Sequence, residues 1–315
     1  MRSLSRRAAH GASLLVLGLA LLPMPQPVRA AEGYPTRPVT IVVPAAPGGT
    51  TDFTARLLAE GLTKELGQQF IVDNKGGANG NIAMSQVART EPDGYTLLLS
   101  YSGYHVTNPA LYKKLNWDPL KSFEPVALAV KAPHVFAVKK DLPADTLAEF
   151  IDYAKANPGK INYGSPGVGS IPHIGTERFQ QLTGTKMTHV PYKGTGPAMT
   201  DLLAGTLDLS LTTPPSASGH LRNNAIKGLA LAGSQRHPMM PDIPTTAEAG
   251  VPGFELEAWF ALFAPTGTPK PIIEKLAAAA QKVVKSDEFQ RKALEQGTYG
   301  VYLGPEELRN LVKTE

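Results

Sequence analysis

The chain of 315 residues contains no cysteine. Disulfide bonds, thiolate metal sites and a lipid-modified N-terminal cysteine are therefore excluded, and the folded protein depends on its hydrophobic core alone. The chain also lacks an apolar run of the roughly 20 residues that a membrane-spanning helix needs. The apolar stretch from Ala12 to Leu22 is too short and is soon interrupted by Pro23, Pro25 and Pro27. These absences predict an exported protein that does not cross the membrane.

The first 30 residues have the features of an export signal. Arg2, Arg6 and Arg7 form a basic start, the apolar stretch follows, and Val28-Arg29-Ala30 supplies the small residues of a cleavage site. We therefore expect a signal peptide over these 30 residues, cleavage near Ala30 and Ala31, and a protein of the periplasm.

The predicted mature chain has no excess of positive or negative charge. The full sequence has 31 basic and 27 acidic residues, and four of the arginines but none of the acids lie in the predicted signal, so 27 of each remain. Nucleic acids are recruited by basic surfaces, and this balance gives no support to such a partner. The 285 residues left after the signal exceed what one hydrophobic core usually organises, so about two lobes are expected.

Strand-like apolar runs alternate with helix-like stretches along the mature chain. Up to Ser100 the predicted order is strand, helix, strand, helix, strand, beginning with Val39 to Val43. A second series starts near His134 and contains a helix from Leu147 to Ala156, whereas Phe254 to Phe263 fits a return crossing to the first lobe. This alternation predicts an α/β fold in which each lobe is a mostly parallel sheet flanked by helices, with a cleft between the lobes.

Two glycine-rich loops occupy matching places in the two predicted lobes. Lobe I comprises residues 31–130 and 255–315, and lobe II comprises residues 131–254. The first glycine loop, Val43 to Asp52, belongs to lobe I, and the second, Asn162 to His173, belongs to lobe II. Each follows a strand-like run and opens a helix-like stretch, where unpaired backbone N–H groups carry a partial positive charge. The pair predicts a small anion held from two sides.

Five motifs in a fixed order resemble one known family. They are Val43-Pro-Ala-Ala-Pro-Gly-Gly-Thr-Thr-Asp52, Pro92-Asp-Gly-Tyr-Thr-Leu97, His189-Val-Pro-Tyr-Lys-Gly194, Pro241-Asp-Ile-Pro-Thr245 with Glu248-Ala-Gly250, and Phe263-Ala-Pro-Thr-Gly267. From about Tyr34 onward the chain resembles the Bug family of periplasmic solute-binding receptors associated with tripartite tricarboxylate transporters. The resemblance implies a two-lobed, type II-like binding protein that closes on a small organic carboxylate, leaves it unchanged and delivers it to membrane transporter subunits. It also implies that the first glycine loop and residues 164–173 hold a carboxylate.

The candidate ligand-binding residues lie in these loops and at the ends of neighbouring strands. They are Gly48, Gly49, Thr50, Thr51, Asp52, Tyr101, Ser102, Ser165, Val168, Gly169, Ser170, His173 and Thr213. The glycines free backbone donors and the hydroxyls add side-chain donors. Asp52 is expected to cap its helix, and His173 either donates to the ligand or only caps the next helix.

The aromatic residues after the third predicted strand allow two interpretations. Tyr101, Tyr104 and His105, together with Phe53, either enclose a flat ligand body or belong to the core. The first interpretation favours an aromatic dicarboxylate such as terephthalate over citrate. The resemblance implies a small, polar segment here, so this departure bears on which ligand fits.

Enzyme and cofactor motifs are scarce. Tyr163-Gly-Ser-Pro-Gly167 resembles a nucleophile elbow, but tyrosine and proline occupy the positions that flank its Gly-Ser pair. His173 and Glu177 lie four residues apart, yet a zinc site needs a third ligand and the other histidines are scattered. We therefore expect a monomeric receptor with no catalytic residue, metal or cofactor. The alternatives are a secreted serine hydrolase that uses Ser165 with His173, and a carboxylate sensor that feeds a signalling kinase.

Overall fold

The computed structural model describes residues 33–315, so the predicted signal peptide and its cleavage position lie outside the described residues. The strands are β1 (Val39–Val43), β2 (Phe70–Asn74), β3 (Thr96–Tyr101), β4 (Phe123–Pro133), β5 (Val135–Lys139), β6 (Asn162–Ser165), β7 (Thr188–Pro191), β8 (Leu209–Thr212), β9 (Ile226–Leu231), β10 (Glu257–Pro265) and β11 (Tyr299–Leu303). The helices are α1 (Thr50–Leu66), α2 (Asn81–Val87), α3 (Asn108–Leu111), α4 (Leu147–Ala156), α5 (Ile171–Thr183), α6 (Thr195–Leu203), α7 (Pro214–Arg222), α8 (Lys270–Lys285), α9 (Asp287–Glu295) and α10 (Pro305–Thr314).

The strands form two mixed sheets. The first has the order β11-β4-β10-β3-β1-β2 and the second the order β7-β6-β8-β5-β9. In the first sheet β1 is parallel to β2 and β3, whereas β10 is antiparallel to β3 and β4. In the second, β6 is parallel to β7 and β8, whereas β5 is antiparallel to β8 and β9. The predicted α/β fold with two helix-flanked sheets is confirmed, but the expectation that each sheet is mostly parallel is wrong, because about half of the strand pairings in each sheet are antiparallel. The antiparallel strands come from the crossings and the C-terminal part of the chain.

The two crossings between the sheets lie side by side. His134 is the single residue between β4 of the first sheet and β5 of the second. Its backbone N–H donates to the carbonyl oxygen of Leu256 at 3.0 Å, and Leu256 directly precedes β10. The N–H of Leu256 donates to the carbonyl of Ala232, whose own N–H donates to the carbonyl of His134. We propose that the lobes divide at this junction, close to the predicted boundaries after residues 130 and 254.

Local sequence explains where several helices begin and end. Helix α1 ends at Gly67, which takes a left-handed φ of 72° and donates its N–H to the carbonyl of Thr63. Helix α4 begins with a capping box in which the Thr146 hydroxyl accepts the Glu149 N–H and the Glu149 carboxylate accepts the Thr146 N–H. These signals fix where α1 ends and where α4 begins.

His105 is buried within lobe I. Phe53 is partly buried and packs against the hydrophobic core of the same lobe. The His105 ring stacks on Phe263 at a centroid distance of 4.4 Å, and its Nδ1 lies 3.0 Å from the Ser100 hydroxyl. Burial lowers the pKa of His105 to about 3. The core interpretation therefore holds for His105 and Phe53, and Tyr101 and Tyr104 are also buried members of the core cluster of lobe I.

Replacing His105 by glutamine should weaken the dependence of stability on pH. An unfolded histidine has a pKa of about 6.5, so between that pH and the folded pKa of about 3 the unfolded state binds the proton more readily. The stabilisation from keeping His105 neutral is therefore complete above pH 6.5 and decreases as the pH falls. When the pH is lowered from 7 to 5, the unfolding free energy of His105→Gln should decrease by about 2 kcal/mol less than that of the wild type. Urea titrations at both pH values measure this difference, and equal losses would contradict it.

Candidate functional site

A small cavity lies between the two sheets, beside the crossings. From the first sheet and its loops it is lined by Ala45, Thr50, Thr51, Tyr101, Tyr104, Ala258 and Phe260; from the second by Pro166, Pro172, Gly194, Thr195 and Thr213; and from the crossing by His134. None of the described residues in this lining is a lysine, arginine, aspartate or glutamate. The cavity measures about 30 Å³. This is room for about two water molecules, so the described form is closed.

Four helices begin at this cavity. Thr50 and Thr195 are the first residues of α1 and α6, Pro172 is the second residue of α5, and Thr213 precedes the first residue of α7. Sequence reasoning predicted two of these helix starts as an anion-binding pair. The first turn of each helix has backbone N–H groups without intrahelical acceptors and a partial positive charge. The cavity therefore provides positive potential from both lobes without a cationic side chain.

The first glycine loop places α1 against lobe II. Gly49 has an extended backbone and precedes the helix, and the Thr50 hydroxyl lies 2.5 Å from the Thr213 hydroxyl across the cavity. Asp52 lies in the first turn of α1, where its carboxylate accepts the Gly48 N–H at 3.1 Å and pairs with Arg56 at 3.0 Å. Asp52 thus fixes the loop from within the first turn, and the N-cap position expected for it is occupied by Gly49, without a side-chain cap.

The loop between β7 and α6 makes the closest approach to the first glycine loop. The Ala46 N–H donates to the carbonyl of Lys193 at 3.1 Å. Gly194 has a φ of 145°, a conformation that favours glycine, and a side chain here would crowd the backbone nitrogen of Ala46. The second glycine loop contributes Pro166 and Pro172 to the same cavity.

Ser165 is paired with a different histidine from the one predicted. Its Oγ lies 2.6 Å from Nε2 of His189 and 3.0 Å from the carbonyl oxygen of Gly167. The His189 ring stacks on the His173 ring at a centroid distance of 4.0 Å. The pairing of Ser165 with His173 that the hydrolase alternative required is therefore wrong. The Ser165 hydroxyl is buried and holds the loop together.

The rest of the second glycine loop is also engaged in internal contacts. The Ser170 hydroxyl accepts the His173 N–H at 3.4 Å, which caps α5, and Nδ1 of His173 accepts the Gly169 N–H at 3.0 Å. The carbonyl of Gly169 accepts the hydroxyl of Thr107 from lobe I at 2.8 Å. The side chain of Val168 is exposed. This loop therefore contacts lobe I directly, and two of its residues, Pro166 and Pro172, line the cavity.

Three aromatic rings form one wall of the cavity. Tyr101 and Tyr104 meet edge to face at 4.4 Å, and Tyr101 stacks with Phe260 at 5.8 Å. Burial raises the pKa of both tyrosines, so their hydroxyls keep their protons. The Tyr104 hydroxyl donates to the carbonyl of Pro44, whereas the buried Tyr101 hydroxyl has no hydrogen-bond partner among the described residues. Ser102, behind this wall, accepts the backbone N–H of Trp259 at 3.4 Å.

Several lining residues were absent from the sequence-based candidates. They are Ala45, His134, Pro166, Pro172, Gly194, Thr195, Ala258 and Phe260. A signal for two of them existed, since Lys193-Gly-Thr-Gly-Pro197 is a third glycine loop between a strand and a helix. His134 and Phe260 had no local signal, because their place at the cavity follows from the strand crossings.

Metal sites and membrane-spanning helices are both absent from the described part of the chain. Within residues 33–315 no group of three or more histidine, aspartate or glutamate side chains is arranged to hold a metal ion. No helix in that part of the chain is both long and apolar enough to cross a membrane. The cavity between the lobes is taken as the candidate functional site because the starts of four helices meet there.

Replacing Gly196 by alanine should push the lobes apart. Gly196 lies in α6, and a methyl group there would overlap the carbonyl oxygen of Pro47 in the first glycine loop. Small-angle X-ray scattering should show a larger radius of gyration for Gly196→Ala than for the wild type. Gly219→Ala is the matched control, because Gly219 lies in α7 with open space around it. Identical scattering from both variants would contradict the described contact.

Comparison with known proteins assigns the chain to a family. The model of the tripartite tricarboxylate transporter family receptor matches residues 54–314. The chain is 36% identical over 287 residues to protein BugT of Bordetella pertussis, covering 91% of this chain and 88% of that protein.

Solved structures agree with this match. A Rhodopseudomonas palustris protein solved with adipate has 39% identity and a TM-score of 0.86, covering 89% of this chain and 94% of its own. MatC of the same organism, solved with bound malate, has 37% identity and a TM-score of 0.84, covering 89% and 97%. These relatives are binding receptors and not enzymes. The chain belongs to the tripartite tricarboxylate transporter receptor family and is a solute-binding protein of the Bug type.

Proposed function

We propose that this receptor captures a small dicarboxylate in the periplasm and delivers it, as a monomer, to a tripartite tricarboxylate-type transporter. The observation that carries the proposal is the convergence of four helix starts on a cavity whose described lining has no charged side chain. A carboxylate bound there accepts backbone N–H and threonine hydroxyl donors, and each charge-assisted hydrogen bond contributes about 1.5–3 kcal/mol. Four to six such bonds, less the costs of ordering and desolvation, suffice for micromolar affinity.

The distribution of the helix starts supports a ligand with two carboxylates. Helix α1 approaches from lobe I, and α5, α6 and α7 approach from lobe II. Two positive regions on separate elements suit two anionic groups joined by a short body. Adipate and malate, the ligands named for the two solved relatives, are both dicarboxylates.

We further propose that the ligand body packs against the wall of Tyr101, Tyr104 and Phe260. Aromatic side chains offer large contact area at low entropic cost. This wall favours a flat or apolar body, so terephthalate belongs to the ligand class together with adipate. The cavity in the closed form is too small for either ligand, and binding therefore requires the lobes to open and close again around it.

The threonine pair at the cavity tests this assignment. In a thermal-shift screen, adipate, malate and terephthalate should raise the melting temperature of the wild type, whereas sugars and free amines should not. At 100 times its Kd a ligand stabilises the fold by about 2.7 kcal/mol. The double variant Thr50→Val, Thr213→Val keeps the side-chain shape and removes both hydroxyls, so affinity should fall at least tenfold by calorimetry.

Thr314→Val is the control for that variant. Thr314 lies near the C-terminus in α10, is exposed, and its hydroxyl bonds only to carbonyls of its own helix. It should bind dicarboxylates as the wild type does. A melting-temperature increase with sugars or amines alone would contradict the proposed ligand class.

Localisation has a separate test. We propose that residues 1–30 are removed on export. Mass spectrometry of the N-terminal peptide from a periplasmic extract should identify Ala31 as the first residue. Recovery of the protein only in the cytoplasmic fraction with residues 1–30 retained would contradict the proposal.

A further inference from the structure

His134 occupies the hinge and the ligand cavity at once. It is the single residue between β4 and β5, and its ring lines the cavity between the lobes. Its backbone N–H and its ring Nδ1 both approach the carbonyl oxygen of Leu256, at 3.0 Å and 2.9 Å. The residue that connects the two sheets therefore also lines the cavity between them.

The contact with Leu256 fixes the tautomer of the ring. A carbonyl oxygen only accepts hydrogen bonds, so Nδ1 of His134 carries a hydrogen atom. In the neutral ring Nε2 then has a lone pair and no hydrogen, so the ring can accept a proton only at Nε2.

Burial of His134 favours the neutral form of its ring. Burial lowers the pKa of His134 to about 4, partly offset by the hydrogen bond to Leu256. The titratable groups that share the cavity are the phenols of Tyr101 and Tyr104, which remain protonated. The charged residues of the three strands that meet at the crossing are Glu124 and Lys131 on β4, Lys139 on β5, and Glu257 on β10. None of these four lines the cavity.

A dicarboxylate in this cavity shifts the protonation equilibrium of His134 towards the protonated form. Carboxylate oxygens have lone pairs and no hydrogen, so they cannot satisfy a bare Nε2, and their negative charge favours the protonated form of a nearby imidazole. Low polarity around the site strengthens this effect because solvent screening is weak. Protonation at Nε2 converts the acceptor into a charged donor, and the Nδ1 hydrogen bond to Leu256 is retained.

We propose that His134 takes up one proton from solvent when a dianionic ligand binds, and so supplies the positive side chain that the cavity otherwise lacks. This inference rests on the proposed dicarboxylate function. The proton moves from buffer to Nε2, and no bond in the ligand forms or breaks. The receptor then prefers dianions over neutral solutes, and affinity rises as the pH falls.

Calorimetry with adipate as the probe tests proton uptake directly. Binding to the wild type is measured at one pH near 6.5 in buffers that differ in ionisation enthalpy. The observed binding enthalpy should change linearly with the buffer enthalpy, with a slope that corresponds to uptake of up to one proton. Affinity should increase by up to tenfold for each pH unit lowered between pH 8 and pH 6.5.

Two variants assign the proton to His134. His134→Gln should lose both the buffer dependence and the pH dependence of adipate binding. His237→Gln should keep both, because His237 is another buried histidine with a lowered pKa and does not line the cavity. If His134→Gln fails to fold, the buffer series on the wild type still tests whether binding takes up a proton.

The outcomes separate this inference from the proposed function. Adipate binding by the wild type with no buffer dependence would overturn proton uptake and leave the receptor function intact. Buffer dependence that persists in a folded His134→Gln variant would also overturn it. Absence of binding by adipate, malate and terephthalate would overturn both proposals.

Discussion

The proposed site depends on one interaction: the backbone dipoles at helix starts stabilise the negative charge of the ligand. The described lining of the cavity has no lysine or arginine, so we propose that a bound anion is stabilised chiefly by backbone N–H groups at helix starts, together with threonine hydroxyls and His134. The starts of α1, α5, α6 and α7 provide these groups, and each start follows a strand of one of the two sheets. Donors held in place by sheets lose little entropy on binding, which suits a receptor that must both bind and release its solute.

In the proposed function, the same constraint couples closure of the lobes to ligand binding. The helix starts belong to separate sheets, so a ligand contacts all of them only when the sheets approach each other. The described form already has the cross-lobe hydroxyl pair of Thr50 and Thr213 and the backbone contact from Ala46 to Lys193. At the hinge, hydrogen bonds connect His134, Leu256 and Ala232, and this junction lies directly beside the cavity. Motion at the junction and contact with the ligand are therefore mechanically linked.

Local signals predicted most of the fold and part of the site. Alternating strand and helix patterns identified the two sheets, and the first glycine loop correctly placed Thr50 at the cavity. The strand β11 was not predicted, because Tyr299–Leu303 is half-buried and is paired with a strand distant in sequence. His134 and Phe260 were not among the site candidates, since their position depends on where strands cross between sheets. Ser165 was assigned the wrong histidine for the same reason, as β6 and β7 are brought together only by sheet pairing.

The most direct test of the account is a crystal structure of the adipate complex. The account predicts adipate in the cavity between the lobes, with carboxylate oxygens about 3 Å from backbone N–H groups at the first turns of helices from both lobes. Adipate bound elsewhere, or held in the cavity by lysine or arginine side chains instead of helix starts, would contradict the claim that backbone dipoles carry recognition.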